Sequence, residues 1–138
     1  MLIYIASRLE NYRQVQAVRD ALIQDGHVIT YDWTQHNSVA QQGIERLKEV
    51  AENERRGVVS ADAVVVLLPG GRGTHAELGI ACALNIPVML ITDNHRAYFL
   101  PDENTCAFYW CRNVQHYVCP LEAMPDFIVA NIEGMIQV

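Results

Sequence analysis

The stretch "ADAVVVLLPGGRGTHAELGIACALNIPVMLI", Ala61 to Ile91, decides the fold. Asp62 to Pro69 is apolar on both faces, as a central parallel strand must be. Gly70, Gly71 and Gly73 then give a turn whose backbone can approach a neighbour or a ligand closely. Thr74 to Leu84 reads as a helix, stopped by Asn85 and Pro87, and "PVMLITD" is the next strand. Strand, glycine turn, helix and strand in about 30 residues is one βαβ unit.

The rest of the chain extends that unit. Leu2 to Ser7 is a first strand, and Tyr12 to about Gln24 is helical, with Val15, Val18, Ala21 and Leu22 on one face and Gly26 as its stop. His27 to Trp33 reads as a second strand, "TQHNS" as a loop, and Ser38 as the cap of a helix carrying Val39, Ile44, Leu47 and Val50. Past Asp93 comes a long loop with room for a short helical piece. His116 to Cys119 is then an edge strand, and "MPDFIVANIEGMIQV" a last helix with Pro125 near its start. The expectation is α/β: one domain over residues 1–138, a Rossmann- or flavodoxin-like open parallel sheet of about five strands with helices on both faces. In such sheets ligands bind at the carboxyl ends of the strands. Here those ends carry Tyr4 to Arg8, Asp32 to His36, Pro69 to Thr74, and Thr92 to Arg96.

Composition narrows the function classes. The formal net charge of −6 argues against a nucleic-acid polymer as partner, which needs clustered Lys and Arg. No apolar run approaches the ~20 residues of a membrane span, and "MLIYIAS" lacks the basic flank of a signal peptide. None of the four cysteines forms a C-x-x-C pair, and the five histidines complete no zinc spacing. The expectation is a soluble, reduced, cytoplasmic protein.

Two nucleotide-loop readings of "LPGGRGTHAELGIA" are weak. Gly71, Gly73 and Ala76 match G-x-G-x-x-A, with Asp93 downstream, but that fingerprint opens a fold's first β–α turn and here two strands precede it. A carboxylate, Glu77, near the start of the helix would also oppose a pyrophosphate there. No G-K-[ST] follows, which excludes a P-loop. The alternative makes Glu77 the centre: the glycines clear space for a sugar, and the helix start holds the carboxylate ionised. A carboxylate facing an anomeric carbon does the work of a retaining glycosidase nucleophile. The plain reading, a glycine turn followed by a first-turn acid, stays open on these residues alone.

The same stretch resembles the nucleoside 2-deoxyribosyltransferase family, which includes the 2′-deoxynucleoside 5′-phosphate N-hydrolases. The A-D-hydrophobic strand, the glycine loop, E-[LI]-G-x-A and the "P-V" strand occur in order, and "IYIAS" is similar to the family's first strand. "PGGRGTHAE" also resembles the P-G-G-x-G-T-x-x-E motif of the Lonely Guy phosphoribohydrolases. Both resemblances imply attack at C1′ of a nucleoside or nucleotide, with no metal and no cofactor. They imply Glu77 as nucleophile and Tyr4 as its orienting hydroxyl. Substrate contacts are implied at Ser7, Arg8, Glu54, Asp62, Gly71, Arg72, Gly73 and Thr74, with the two arginines able to take a 5′-phosphate. Tyr4 also fits a half-buried strand residue, Asp62 a local cap, Glu54 a solvated face, and either arginine a surface charge. His75 is either a proton donor to the leaving base or a solvent-facing side chain. The family builds its site between two subunits, which implies a homodimer or larger homo-oligomer. Asp93, Asn94, Asn104 and Asn113 are the candidates a partner would donate.

Overall fold

The computed structural model describes residues 1–36 and 38–136. Five strands form one sheet: β1 (Leu2–Ala6), β2 (Val28–Ile29), β3 (Ala63–Leu67), β4 (Val88–Thr92) and β5 (Val114–Val118). Their order is β2-β1-β3-β4-β5 and every pairing is parallel. Helices α1 (Tyr12–Gln24), α2 (Ile44–Val59), α3 (Arg72–Ala83), α4 (His95–Tyr98) and α5 (Met124–Ile136) supply the connections. Helix α1 packs with α5 on one face of the sheet, and α2 packs with α3 on the other. This is the doubly wound α/β arrangement expected, with its topological switch between β1 and β3.

Burial explains the register. All five residues of β3 and of β4 are buried, so these strands need apolar side chains on both faces. Ile3, Ile5, Val18, Leu22, Ile128 and Ile132 close the α1–α5 side of the same core. No helix among the described residues is long and apolar enough to cross a membrane.

Four local expectations are corrected. The second strand is shorter than His27–Trp33: its ladder ends after Thr30 N–H donates to Ile3 O at 3.0 Å. The next β1 acceptor, Ile5 O, is taken at 2.8 Å by the Trp33 indole N–H, so a side chain replaces the ladder bond and the backbone is free to turn away. Helix α2 starts at Ile44 rather than at a Ser38 cap. Gly43, at φ +95°, breaks the path between a short 3₁₀ turn, Ala40–Gln42, and the helix. The edge strand lies two residues earlier than His116 and ends at Val118. Helix α3 starts at Arg72 rather than Thr74, because Gly71 N–H donates to Thr74 Oγ1 at 3.0 Å and closes a cap one turn back. Asn37 of the "TQHNS" loop, and Gln137 and Val138 of the last helix, lie outside the described residues.

Candidate active site

The carboxyl ends of β1 and β3 open into a cleft of about 640 Å³. Three segments wall it. The β1 end and the turn after it contribute Ser7, Arg8 and Glu10. The α3 start contributes Gly71, Arg72, Gly73, Thr74 and Glu77. Helix α2 and the segment before it contribute His36, Val39, Leu47, Val50, Ala51 and Glu54, with Trp33 beneath. The volume suits a ligand of nucleoside or nucleotide size.

Glu77 stands on the buried side of this cleft, 7% exposed. Tyr4, fully buried on β1, donates its hydroxyl to Glu77 Oε2. Glu54 reaches Glu77 from α2 by a carboxyl–carboxyl hydrogen bond. Because α3 begins at Arg72, Glu77 is in its second turn, beyond the reach of the helix N-terminus. The expectation that the dipole keeps it ionised is therefore overturned. Burial pushes the Glu77 carboxyl up to about 8. The Tyr4 hydroxyl bond works against that rise, while the Glu54 charge reinforces it. Glu54 is also raised, by burial, with His36 and the Glu77 bond opposing. Tyr4 is raised by burial and by both carboxyls, so its hydroxyl stays a donor. Held at about 8, the Glu77 carboxyl keeps its proton at neutral pH, placed to bridge to Glu54.

The Tyr4 ring is held by a close backbone approach. A Cβ on Gly57 of α2 would come within 2.9 Å of Tyr4 Cδ2 and 3.0 Å of Tyr31 Cβ. Gly57→Ala is expected to cost about 1–3 kcal/mol by overpacking and to displace the Tyr4 hydroxyl from Glu77. Denaturant unfolding and the Tyr4 hydroxyl resonance check both.

The structure brings most of the expected residues together. Tyr4, Ser7, Arg8, Glu54, Gly71, Arg72, Gly73, Thr74 and Glu77 meet at the cleft or on its floor. Ser7 has structural work there: its hydroxyl donates to Leu67 O at 2.8 Å and accepts from Asn11 Nδ2 at 2.9 Å. Thr74 Oγ1 accepts the Gly71 cap bond. Arg8 and Arg72 stand at the rim, and the nearest acid to Arg8 is Glu10 at 3.9 Å.

Asp62 is not brought to the site. It precedes β3, at the opposite edge of the sheet, where its carboxylate accepts Leu2 N–H at 2.8 Å and ties the strand starts together. His75 also leaves the cleft: Nδ1 meets Gly71 O at 2.7 Å and Nε2 meets the Tyr109 hydroxyl at 2.8 Å. Of the residues considered for donation to a partner, Asn94 caps α4 and Asn113 bonds Ile86 O at 2.7 Å. The group that has metal-ligand spacing among the described residues is Asp25, His27 and Glu133. It sits where β2 begins, away from the cleft, and the Met1 amine lies 3.2 Å from His27 Nδ1.

Sequence reasoning missed the apolar wall. Leu47, Val50, Ala51 and Glu54 follow i, i+3, i+4, i+7 spacing, which reads as a core-facing stripe. That face meets the cleft, so Leu47 keeps 37% of its surface exposed. His36 belonged to a strand end already marked as ligand-facing, but nothing in the pattern singled it out.

Comparison with known proteins gives a consistent picture. The nucleoside 2-deoxyribosyltransferase family model matches residues 3–135. Among solved structures, a Clostridium botulinum CMP N-glycosidase superposes with a TM-score of 0.64 at 12% identity, covering 93% of this chain and 98% of that one. A 2-deoxyribosyltransferase from Bacillus psychrosaccharolyticus superposes at 0.65 with 21% identity, covering 91% of each chain. A search of the curated proteins finds no match.

Proposed function

This chain belongs to the nucleoside 2-deoxyribosyltransferase family, and from that premise we propose that its cleft cleaves the N-glycosidic bond of a (deoxy)nucleoside or its 5′-monophosphate, with Glu77 as the nucleophile at C1′. The observation that carries the reading is the buried Glu77 carboxyl facing the cleft, fixed by the Tyr4 hydroxyl and sharing a proton with Glu54.

The carboxyl pair supplies both requirements of the reaction. Glu77 passes its proton to Glu54 and attacks C1′ as a carboxylate. The C1′–N bond breaks with its electron pair going to the base nitrogen, which takes the proton from Glu54. A glycosyl ester on Glu77 remains. Water, deprotonated by Glu54, hydrolyses it and frees the sugar, or the nitrogen of a second base displaces it and completes a transfer. Tyr4 orients the attacking carboxylate. Leu47, Val50 and Trp33 exclude water from the base side. Arg8 and Arg72, with the α3 start, offer donors for a 5′-phosphate.

A panel of ribo- and deoxyribonucleosides and their 5′-monophosphates, with and without an acceptor base, tests this by chromatography of free base. CMP belongs on the panel, since one structural neighbour is a CMP N-glycosidase. At least one member is expected to release its base. If a monophosphate is preferred, Arg8→Ala with Arg72→Ala raises its KM about tenfold or more and leaves the nucleoside unchanged. Tight binding with no base released from any member overturns catalysis and makes the chain a nucleotide sensor.

A further inference from the structure

The glycine loop that opens α3 is tied down from outside the cleft by a pair that the steps above do not use. His75 Nδ1 lies 2.7 Å from Gly71 O, and its Nε2 lies 2.8 Å from the Tyr109 hydroxyl. Tyr109 comes from a 3₁₀ turn, Ala107–Trp110, ahead of β5, and it is buried. The two rings stack with centroids 5.6 Å apart, 26° from parallel. A carbonyl oxygen only accepts, so Nδ1 carries the ring proton, and Nε2 of the neutral ring accepts from Tyr109. Burial pushes the Tyr109 hydroxyl up to about 12, so it keeps the proton it donates.

The Gly71 residue is thereby held at both ends. Its N–H donates to Thr74 Oγ1 at 3.0 Å, and its carbonyl takes the His75 backbone N–H at 3.2 Å as well as the ring. At the start of the loop, Pro69 O accepts from Asn11 Nδ2 at 3.0 Å. Gly70 lets the two side chains close over the loop: a Cβ there would lie 2.7 Å from Thr74 Cγ2 and 3.2 Å from His75 Cε1. Gly71, Arg72, Gly73 and Thr74 line the cleft, whereas His75 and Tyr109 stand outside that lining. The pair therefore draws the Gly71 carbonyl away from the cleft. Arg72 and the first-turn N–H groups of α3 are left on the cleft side.

We propose that His75, held by Tyr109, is a positioning residue that sets the glycine loop for the phosphate of a 5′-monophosphate: it keeps the Gly71 carbonyl out of the space the anion takes beside Arg72. The proposal rests on the functional reading above, in its 5′-monophosphate form. A glycine peptide released from the ring is free to rotate, and a carbonyl turned inward sets a negative dipole end against the anion. A nucleoside carries no charge at that end and loses little. This is neither the proton donation nor the solvent-facing place that the sequence left open for His75.

The test compares wild type, His75→Leu, His75→Asn and Tyr109→Phe. Leu removes both bonds. Asn sets an amide N–H where Nδ1–H stood but does not reach Tyr109, and Phe keeps the ring stack without the hydroxyl. In His75→Leu the KM of the best 5′-monophosphate is expected to rise about tenfold. Its kcat, and both constants for the matching nucleoside, stay within about twofold. His75→Asn recovers most of the loss, and Tyr109→Phe raises the monophosphate KM about threefold. Should His75→Leu fail to fold, Tyr109→Phe carries the same split. A purely structural role would impair nucleoside and monophosphate alike, which overturns the proposal, as does a wild type that takes nucleosides and refuses monophosphates. In parallel, inorganic phosphate is titrated into the ligand-free ¹⁵N-labelled protein and followed by NMR on the Arg72, Gly73 and Thr74 amides. Wild type should shift them, and His75→Leu should need about tenfold more phosphate. No shift in wild type, or equal affinity in the two proteins, overturns the proposal whatever the activity. If wild type releases no base from any substrate, the catalytic reading fails while the phosphate titration still decides whether His75 sets the loop.

Discussion

Glu77→Gln is expected to reduce base release by at least about 10³-fold in kcat while leaving the protein folded. The amide has the shape of the carboxyl it replaces. Its oxygen accepts the Tyr4 hydroxyl and its nitrogen donates to Glu54, so the buried contacts of this corner survive. What is lost is the ability to form an ester with C1′ and to hand over a proton. Glu77→Asp separates the two losses, because a carboxylate withdrawn by one methylene keeps the charge and misses the reach. It should lie between wild type and Gln. The measurement is single-turnover base release on the best member of the panel, with circular dichroism and a thermal melt on the same sample. A Gln variant that releases base within about tenfold of wild type removes Glu77 from the nucleophile's role. Activity would then have to come from Glu54 and a water.

The βαβ unit around Ala61–Ile91 was legible because its physics is local. A run buried on both faces, a glycine turn and a proline stop leave little choice of fold. The pairing of Tyr4 with Glu77 was legible because motif resemblance names both, and the fold sets them side by side at the β1–β3 switch. What failed was what depends on three dimensions. Asp62 belongs to the same motif, yet five residues of strand separate it from the cleft edge, and its carboxylate is used on Leu2. The second strand looked long because His27–Trp33 is rich in β-formers. The indole of Trp33 took the acceptor that would have extended it. The expectation of an ionised Glu77 rests on a helix start at Thr74. The Gly71–Thr74 cap draws the start back to Arg72 and moves the acid out of the first turn, where burial governs it. The apolar wall of α2 could not be told from core, since a cleft-facing stripe and a core-facing stripe have the same period.

That burial gives the second large effect. Raising the pH from about 6 to 9 is expected to destabilise wild type relative to Glu77→Gln. The Glu77 carboxyl sits at about 8 in the folded protein, against its ordinary 4.5. Between those values the folded chain holds a proton that the unfolded chain has released. Folding therefore takes up a proton, and stability falls as pH rises across this window. The contribution is whole below about pH 4.5 and is lost as pH climbs through 8. Its size is on the order of a few kcal/mol, and the Gln variant, with nothing to titrate at this position, does not undergo the loss. The two proteins should match in denaturant midpoint near pH 4.5, and their curves should separate progressively, with Gln the more stable at pH 9. Glu54 is raised as well and is hydrogen-bonded to Glu77, so the difference between the two proteins reports the carboxyl pair. Activity follows from the same proton. Above about pH 8 the carboxyl pair has none left for the departing base, and wild-type base release should decline there. Parallel stability curves for the two proteins from pH 5 to 9 would mean that Glu77 is ionised throughout. The shared-proton account of the site would then have to be replaced by one in which the leaving base draws its proton from solvent.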